Sequence, residues 1–218
     1  MANGRFDRCR DRCDNSNNPR GFIVKHWRRL AECAAECYRD ENRVEVEGVE
    51  FTTTETDDGP VFAICGTNGV RDWFFNLHRS RTRIEIDGTP VRIHSGFFRA
   101  ADAILPTVRD WARDNPDGAI VGHSLGAAVA IITSTIISPA TPVALCAIAA
   151  PRVGDRAFVD LLRARLPIVQ RRIYCRRLDP ICYVPRFGYS ALPVTWLKSC
   201  FDGRLDHAAD QYVALIDE

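Results

Sequence analysis

Apolar and amphipathic segments alternate over the second half of the chain. Residues 97–115 carry apolar side chains at helical spacing, whereas residues 119–122 form a short apolar run typical of a buried strand. The elements predicted after these are a helix at 125–137, a strand at 143–149, a helix at 155–166, a strand at 169–175 and a helix at 207–216. Because strands that alternate with helices build parallel sheets, the pattern predicts a mostly parallel central sheet with helices on both faces.

The first part of the chain has a different pattern. Residues 1–42 predict two helices joined by a polar loop, and therefore an N-terminal helical hairpin. Residues 44–54 alternate between apolar and polar positions and predict a strand, which a turn at 57–60 connects to a buried strand at 61–65. At 218 residues, the hairpin and a core at 43–218 fit one domain of ordinary size.

Composition narrows the possible classes of function. Hydrophobic residues make up 46% of the chain, aromatic residues 9%, and the net charge is +1. These values are typical of a globular protein and do not indicate a surface that binds polyanions, so nucleic acid is not an expected partner.

Two observations concern membranes and export. Residues 119–137 approach the length of a membrane span, but Gly122, His123, Ser124 and Gly126 interrupt them, so no transmembrane segment is predicted. No charged, apolar and small-residue sequence resembling a secretion signal opens the chain. Export by another route, a removed leader and a cytoplasmic setting all stay open.

The candidate chemistry begins with Gly122-His123-Ser124-Leu125-Gly126, which has the form G-x-S-x-G. It lies between a predicted strand and a predicted helix, where α/β hydrolases hold their nucleophile in a sharp turn. Glycines two residues on either side allow the strand and the helix to approach closely. The motif therefore predicts Ser124 as a nucleophile.

A serine nucleophile needs a general base and an acid that orients it, in the order serine, acid, histidine in α/β hydrolases. His207 is the only histidine after Ser124. Asp179 is the favoured acid because it follows the strand at 169–175 and because Pro180 disfavours helix there. The other aspartates considered are Asp155, Asp160, Asp202 and Asp206.

Attack on an ester creates a tetrahedral oxyanion that needs hydrogen-bond donors already in place. The backbone N–H of Leu125 is one predicted donor. Thr67, in the segment 65–69 that follows a strand, is the second, through its N–H and its hydroxyl. A plain turn is the alternative interpretation of this segment.

Together these segments resemble the class 3 lipase family, best known from fungal triacylglycerol lipases, over residues 61–215. The motifs that carry the resemblance are Gly66-Thr67 with Asp72-Trp73, His94 to Phe97, Gly122 to Gly126, Ala150 to Gly154, Asp179-Pro180 with Val184-Pro185, and His207 with Tyr212. The resemblance implies an α/β-hydrolase fold, in which 43–218 is the catalytic core. It also implies the same site residues, which are Ser124, Asp179 and His207, with Thr67 and Leu125 as the oxyanion hole.

The resemblance further implies that residues 68–78 correspond to the lid that covers the site in lipases. Its apolar residues, which would contact the pocket or a lipid surface, are Trp73, Phe74, Phe75 and Leu77. Burial of these aromatic residues in the core is the alternative. Cys65 stands where the family usually has an arginine, and the stretch between the lid and His94 is short and charged. The short, charged stretch weighs against interfacial activation on bulk triglyceride, leaving soluble esters, monoacylglycerols and phospholipids as candidate substrates.

Nine cysteines are a high number for a domain with a full core. In an antiparallel hairpin Cys9 would face Cys37 and Cys13 would face Cys33, so two disulfides are predicted first. Free thiols and a structural zinc ion held by the same four cysteines are the alternatives.

The remaining cysteines divide into two groups. Cys65, Cys146 and Cys175 fall in apolar strands and are expected to be buried free thiols, whereas Cys182 and Cys200 are a further candidate pair. The cysteine pattern favours an oxidising or extracellular setting, with a cytoplasmic one still open.

The sequence thus predicts a serine-dependent carboxylic ester hydrolase that cleaves acylglycerol or related lipid esters through an acyl-enzyme, without a cofactor. Its expected partners are an ester or lipid substrate and, transiently, a lipid surface. A phospholipase or acyltransferase with the same triad and a catalytically silent lipid-binding module are the alternatives.

Overall fold

The computed structural model describes residues 26–66, 80–138, 140–199 and 207–217. The strands are β1 (Val44–Val46), β2 (Val49–Thr56), β3 (Gly59–Ile64), β4 (Arg81–Ile86), β5 (Thr89–His94), β6 (Ala119–His123), β7 (Ala144–Ile148), β8 (Arg171–Arg176) and β9 (Thr195–Leu197). The α-helices are α1 (Trp27–Glu36), α2 (Ser95–Asp114), α3 (Leu125–Ile137), α4 (Arg156–Arg165) and α5 (Ala209–Val213).

A seven-stranded sheet in the order β1-β2-β3-β6-β7-β8-β9 forms the centre of the fold. The strands from β3 to β9 in this order run parallel, whereas β1 and β2 are antiparallel to their neighbours. The predicted mostly parallel sheet is therefore confirmed. Because parallel strands end at the same edge, the loops after β3, β6 and β8 converge on one side of the sheet.

Helices cover both faces of this sheet, as predicted. Along β3 the side chains alternate, so that Phe62 and Ile64 join the core beneath α2 and α3, and Val61 and Ala63 join the core beneath α1 and α5. Both sets are buried, which explains why the strand is apolar without interruption. The α/β-hydrolase fold follows from this arrangement.

Several elements differ from their predicted form. The predicted strand at 44–54 is two strands, because Glu47 and Gly48 adopt positive φ angles of 49° and 82° and form a tight turn. The antiparallel pair β4 and β5 was not predicted, and the closing helix is shorter, since α5 covers only Ala209–Val213. No helix within the described ranges is long and apolar enough to cross a membrane.

The cysteine predictions need correction. Cys37 forms a disulfide with Cys65, with their Cα atoms 5.8 Å apart, so the predicted pairing of Cys37 with Cys9 and the predicted free thiol at Cys65 are both wrong. The chain turns into a 3₁₀ helix at Cys37, directly after α1, and this turn brings Cys37 to the end of β3. A zinc ion held by four thiolates is excluded as well, because the sulfur of Cys37 is already bonded.

The other cysteines in the described ranges are Cys33, Cys146, Cys175 and Cys182, all buried free thiols. The prediction for Cys146 and Cys175 is confirmed. Cys33 and Cys182 are not bonded to their predicted partners. The first arm of the predicted hairpin, with Cys9 and Cys13, and also Cys200, lie outside the described residues.

Candidate active site

Ser124 occupies the turn between β6 and α3. Its backbone has φ = 57° and ψ = −118°, a conformation that non-glycine residues rarely adopt, and its N–H donates to the Ile148 carbonyl at 3.1 Å. A methyl group on Gly122 would collide with the backbone of Gly126, and one on Gly126 would collide with the Ile64 carbonyl. Both glycines are therefore required for the close approach of β6, α3 and β3 that forms this turn.

His207 connects the serine to the acid. Its Nε2 lies 3.0 Å from Ser124 Oγ, and its Nδ1 lies 2.8 Å from Asp179 Oδ2. A carboxylate only accepts hydrogen bonds, so the Nδ1–H donates to Asp179 and leaves Nε2 to accept the hydroxyl proton of Ser124. The three predicted residues thus have the geometry of a serine nucleophile, its base and an orienting acid.

Asp179 follows β8 and has no exposed surface. Its Oδ1 accepts the N–H of Ile181 at 2.9 Å, which caps a 3₁₀ turn at Pro180–Tyr183. Its Oδ2 accepts the hydroxyl of Tyr212 at 2.6 Å in addition to the His207 bond. These donors stabilise a carboxylate that is removed from water.

The other described aspartates that were candidates for the acid bind groups other than His207. Asp155 caps α4 by accepting the N–H of Phe158 at 3.0 Å, and Asp160 pairs with Arg156 on the surface. Asp202 and Asp206 lie outside the described residues. Among the described aspartates after the serine, only Asp179 contacts the histidine that faces Ser124.

His123, directly before Ser124, makes hydrogen bonds that the sequence did not predict. Its Nδ1 lies 2.8 Å from the Tyr38 hydroxyl, and its Nε2 lies 2.7 Å from the backbone carbonyl of His207. Burial, together with the nearby His207, lowers the pKa of His123 to about 3. The imidazole is therefore neutral near pH 7, with one nitrogen that donates and one that accepts.

The predicted oxyanion donors are only partly described. Leu125 is the first residue of α3, so its N–H belongs to the amide groups that have no acceptor within the helix. The positive end of the helix dipole lies at the same place. Thr67 is outside the described residues, as are the predicted lid residues Trp73, Phe74, Phe75 and Leu77, whereas Gly66, which precedes Thr67, is described.

A cleft of about 530 Å³ lies beside Leu125 and Gly66. Its apolar lining comes mainly from Val49, Ala100, Ala103, Leu125 and Val129. Three glutamates, Glu45, Glu47 and Glu50, and Arg99 also line it, and Glu50 is paired with Arg43 at 3.3 Å. The cleft therefore combines an apolar wall with a negatively charged rim.

A family model for class 3 lipases matches residues 61–188. Solved structures with the same fold include a triacylglyceride lipase from Rhizomucor miehei, with a TM-score of 0.63 and 17% identity over 79% of this chain and 77% of that one. A lipase from Rhizopus microsporus var. chinensis has a TM-score of 0.65 and 18% identity, covering 88% and 83% of the two chains.

A triacylglycerol lipase from Penicillium expansum is similar to the same degree, with a TM-score of 0.61 and 17% identity over 84% and 81% of the two chains. At these identities the structural likeness concerns the fold alone. A search among curated protein sequences returned no match. The family model spans more than half of the chain, and its match includes Gly122 to Gly126 and Asp179. The chain belongs to the class 3 lipase family and is a carboxylic ester hydrolase.

Proposed function

We propose that the chain hydrolyses lipid esters with Ser124 as nucleophile, His207 as general base and Asp179 as the acid that orients His207. The observation that carries the proposal is the pair of hydrogen bonds from one imidazole, 3.0 Å to Ser124 Oγ and 2.8 Å to Asp179 Oδ2. A histidine held in this way has the correct tautomer and orientation to remove the serine proton.

The reaction proceeds in two halves. Ser124 Oγ attacks the ester carbonyl carbon while its proton passes to His207 Nε2. The resulting oxyanion accepts hydrogen bonds from the N–H groups of Leu125 and Thr67. The intermediate collapses, and the alcohol leaves with the proton from His207, so that an acyl-enzyme remains. Water then attacks the acyl-enzyme with His207 again as the base, which releases the acid and restores Ser124.

The cleft supports a preference for neutral acyl esters. Its apolar wall, which includes Val49 and Val129, suits an acyl chain. Glu50 is paired with Arg43, but the carboxylates of Glu45 and Glu47 still outnumber the guanidinium of Arg99, so a negatively charged head group would be repelled at the rim. Uncharged acylglycerols and soluble esters are therefore favoured over anionic phospholipids.

Contact with a lipid surface and an extracellular setting belong to the same proposal. Leu178, directly before Asp179, is 52% exposed, and Trp196 on the adjacent strand β9 is 40% exposed, so apolar side chains project near the segment that carries the acid. Leu178→Asp is expected to weaken binding to neutral-lipid vesicles, and unchanged binding would remove this support. The Cys37–Cys65 disulfide favours an oxidising setting.

The test is hydrolysis of p-nitrophenyl esters from acetyl to palmitoyl by the wild type and by Ser124→Ala. We expect Ser124→Ala to lose at least about 10³-fold in kcat, because no other group replaces the nucleophile. Ser134→Ala is the matched control, since Ser134 is a fully buried serine on α3, the helix that follows Ser124, and its loss should leave kcat unchanged.

Two further outcomes are decisive. A fluorophosphonate should label Ser124, located by peptide mass spectrometry, in the wild type and in Ser134→Ala. Ester cleavage that survives Ser124→Ala would show that the nucleophile is another residue, and wild-type protein that neither cleaves an ester nor reacts with the phosphonate would favour a silent lipid-binding module.

A further inference from the structure

A continuous series of hydrogen bonds joins the end of β3 to the backbone of His207 through Tyr38 and His123. Gly66 N–H lies 3.0 Å from the Tyr38 hydroxyl, which lies 2.8 Å from His123 Nδ1. His123 Nε2 lies 2.7 Å from the His207 carbonyl oxygen. The three bonds connect four segments that are distant in sequence.

The two backbone groups at the ends determine the direction of every bond. An amide N–H only donates, so the Tyr38 oxygen accepts from Gly66 and gives its single proton to His123 Nδ1. A carbonyl only accepts, so His123 Nε2 carries the hydrogen and donates it to His207. Burial raises the pKa of Tyr38 to about 12, so its hydroxyl keeps its proton near pH 7, and lowers the pKa of His123 to about 3, so the ring stays neutral with a single N–H.

Each end of this series is next to a group of the proposed reaction. Gly66 directly precedes Thr67, the proposed second oxyanion donor, and His207 is the proposed base. His123 directly precedes Ser124. A shift of the Tyr38 hydroxyl would therefore reach the backbone of Gly66 and, through His123, the backbone of the base.

A disulfide and the lack of a side chain on Gly66 fix the distance between Tyr38 and Gly66. The disulfide joins Cys37 to Cys65, and these residues directly precede Tyr38 and Gly66. A methyl group on Gly66 would occupy the position of the Tyr38 hydroxyl and would lie 3.0 Å from the His123 carbonyl. A disulfide between the preceding residues and a hydrogen bond thus hold Tyr38 and Gly66 together. The lack of a side chain on Gly66 allows this close approach.

We propose that Tyr38 is a positioning residue for ester hydrolysis, whose hydroxyl aligns the backbone of Gly66 and, through His123, the backbone of His207. This inference rests on the proposed function. The hydrogen bonds of the Tyr38 hydroxyl go to Gly66 and His123 rather than to Ser124. Its contribution is made in the transition state, where a misplaced oxyanion donor is costly, rather than in the binding of the ester.

The experiment compares Tyr38→Phe with Tyr189→Phe in the full chain, on a soluble p-nitrophenyl ester. Both changes remove one hydroxyl from a tyrosine at least partly buried in the fold, but Tyr189 donates to the Ser80 carbonyl at 3.3 Å, away from the series. We expect Tyr38→Phe to lower kcat roughly 10- to 100-fold at unchanged KM, in line with the loss of alignment at an oxyanion donor. Tyr189→Phe should change neither constant.

A kcat of Tyr38→Phe within about twofold of the Tyr189→Phe value would overturn the inference, as would a change confined to KM. If Tyr38→Phe does not yield enough folded protein, Gly66→Ala supplies the second measurement, because its methyl group displaces the same hydroxyl. We expect the same loss in kcat at unchanged KM, and an unchanged kcat in Gly66→Ala would equally overturn the role of Tyr38.

Ser124→Ala, assayed alongside, separates this inference from the proposed function. Loss of activity in Ser124→Ala with full activity in Tyr38→Phe would overturn only the role of Tyr38. Activity retained in Ser124→Ala would overturn the proposed function and the role of Tyr38 together.

Discussion

Tyr212 donates its hydroxyl proton at 2.6 Å to Oδ2 of Asp179, the same oxygen that accepts the Nδ1–H of His207 at 2.8 Å. Tyr212 has no exposed surface, and its hydroxyl also accepts the N–H of Arg176 at 3.0 Å. Burial raises the pKa of Tyr212, so the hydroxyl keeps the proton that it donates. The acid of the proposed triad is therefore stabilised by a fully buried side chain from α5.

We predict that Tyr212→Phe affects stability more than catalysis. Its loss leaves the buried Arg176 N–H without this acceptor and Asp179 with one donor fewer, which should lower the free energy of unfolding by about 1–3 kcal/mol. The effect on kcat should stay below about tenfold, because Asp179 keeps its bonds to His207 and Ile181. Urea unfolding and ester hydrolysis measure the two effects.

Tyr189→Phe is again the control, because it also removes a tyrosine hydroxyl but leaves Asp179 intact. Equal losses of stability in Tyr212→Phe and Tyr189→Phe would contradict the stabilising role of the Tyr212 hydroxyl. Tyr212→Phe should thus lose mainly stability, whereas Tyr38→Phe should lose mainly kcat.

The backbone of Ser124 leads to a second prediction, that Ser124→Gly is more stable than Ser124→Ala. A φ of 57° with a ψ of −118° strains any residue with a Cβ by about 1–3 kcal/mol, which glycine avoids. After the entropic cost of glycine in the unfolded chain, a net gain of about 1 kcal/mol should remain in the free energy of unfolding. Neither variant should hydrolyse esters, since both lack the hydroxyl.

Ser134 provides a control in which the difference in stability between the glycine and alanine variants should have the opposite sign. It lies inside α3, where glycine is a poor helix former, so Ser134→Gly should be less stable than Ser134→Ala by about 1 kcal/mol. If Ser124→Gly were also the less stable of its pair, the turn would not be strained in the way that its backbone angles indicate.

The predicted site residues that the structure brings together are those with local signals in the sequence. Ser124 was found from five consecutive residues at a strand-to-helix boundary, and Asp179 from its place after a strand and before a proline. His207 was the only histidine left after the serine. Their role in catalysis is still a proposal, but their convergence followed from the order of strands in a parallel sheet.

The parts that were missed depend on contacts between distant residues. Tyr38 meets His123 across 85 positions of sequence, and Cys37 meets Cys65 across 28. The assumed hairpin led to the wrong partner for Cys37, because the turn after α1 directs this residue toward the sheet. The hairpin of β4 and β5 does not depend on distant contacts. Its signal is local, because alternating residues around Asp87-Gly88 are typical of a hairpin.

A third prediction concerns pH and His123. Its pKa of about 3 in the folded chain lies below its usual value of 6.5, so the unfolded chain binds more protons between these values. The contribution of His123 to the free energy of unfolding is therefore fully present above about pH 6.5. It decreases as the pH falls toward 3, by up to about 1.4 kcal/mol per pH unit. Replacing His123 with glutamine, which does not titrate, should remove this contribution.

The measurement is the free energy of unfolding of the wild type and of His123→Gln at about pH 7 and about pH 5. The wild type should lose about 2 kcal/mol more than the variant between these two conditions. The variant should be less stable at pH 7, because glutamine does not reproduce both imidazole hydrogen bonds. Parallel losses in the two proteins would mean that His123 is not buried as a neutral group.

The last prediction concerns the negatively charged rim of the cleft. Glu47→Gln removes one exposed carboxylate from the rim, which should reduce the repulsion of a negatively charged ester. We expect kcat/KM for such an ester to rise roughly two- to fivefold relative to a neutral ester of equal chain length, at low salt. A matched pair of acyl esters, one with a sulfonated and one with a neutral leaving group, provides the measurement.

Glu55→Gln is the control, because Glu55 is an exposed glutamate on β2 that does not line the cleft. It changes the net charge by the same amount, so a general charge effect would raise the ratio equally in both variants and would contradict a role for the rim. An effect of the rim should appear only in Glu47→Gln and should fade at about 1 M salt, where the screening length is about 3 Å. Because the charge would then act on a substrate that enters beside Leu125, this result would also connect the cleft with the oxyanion end of the proposed site.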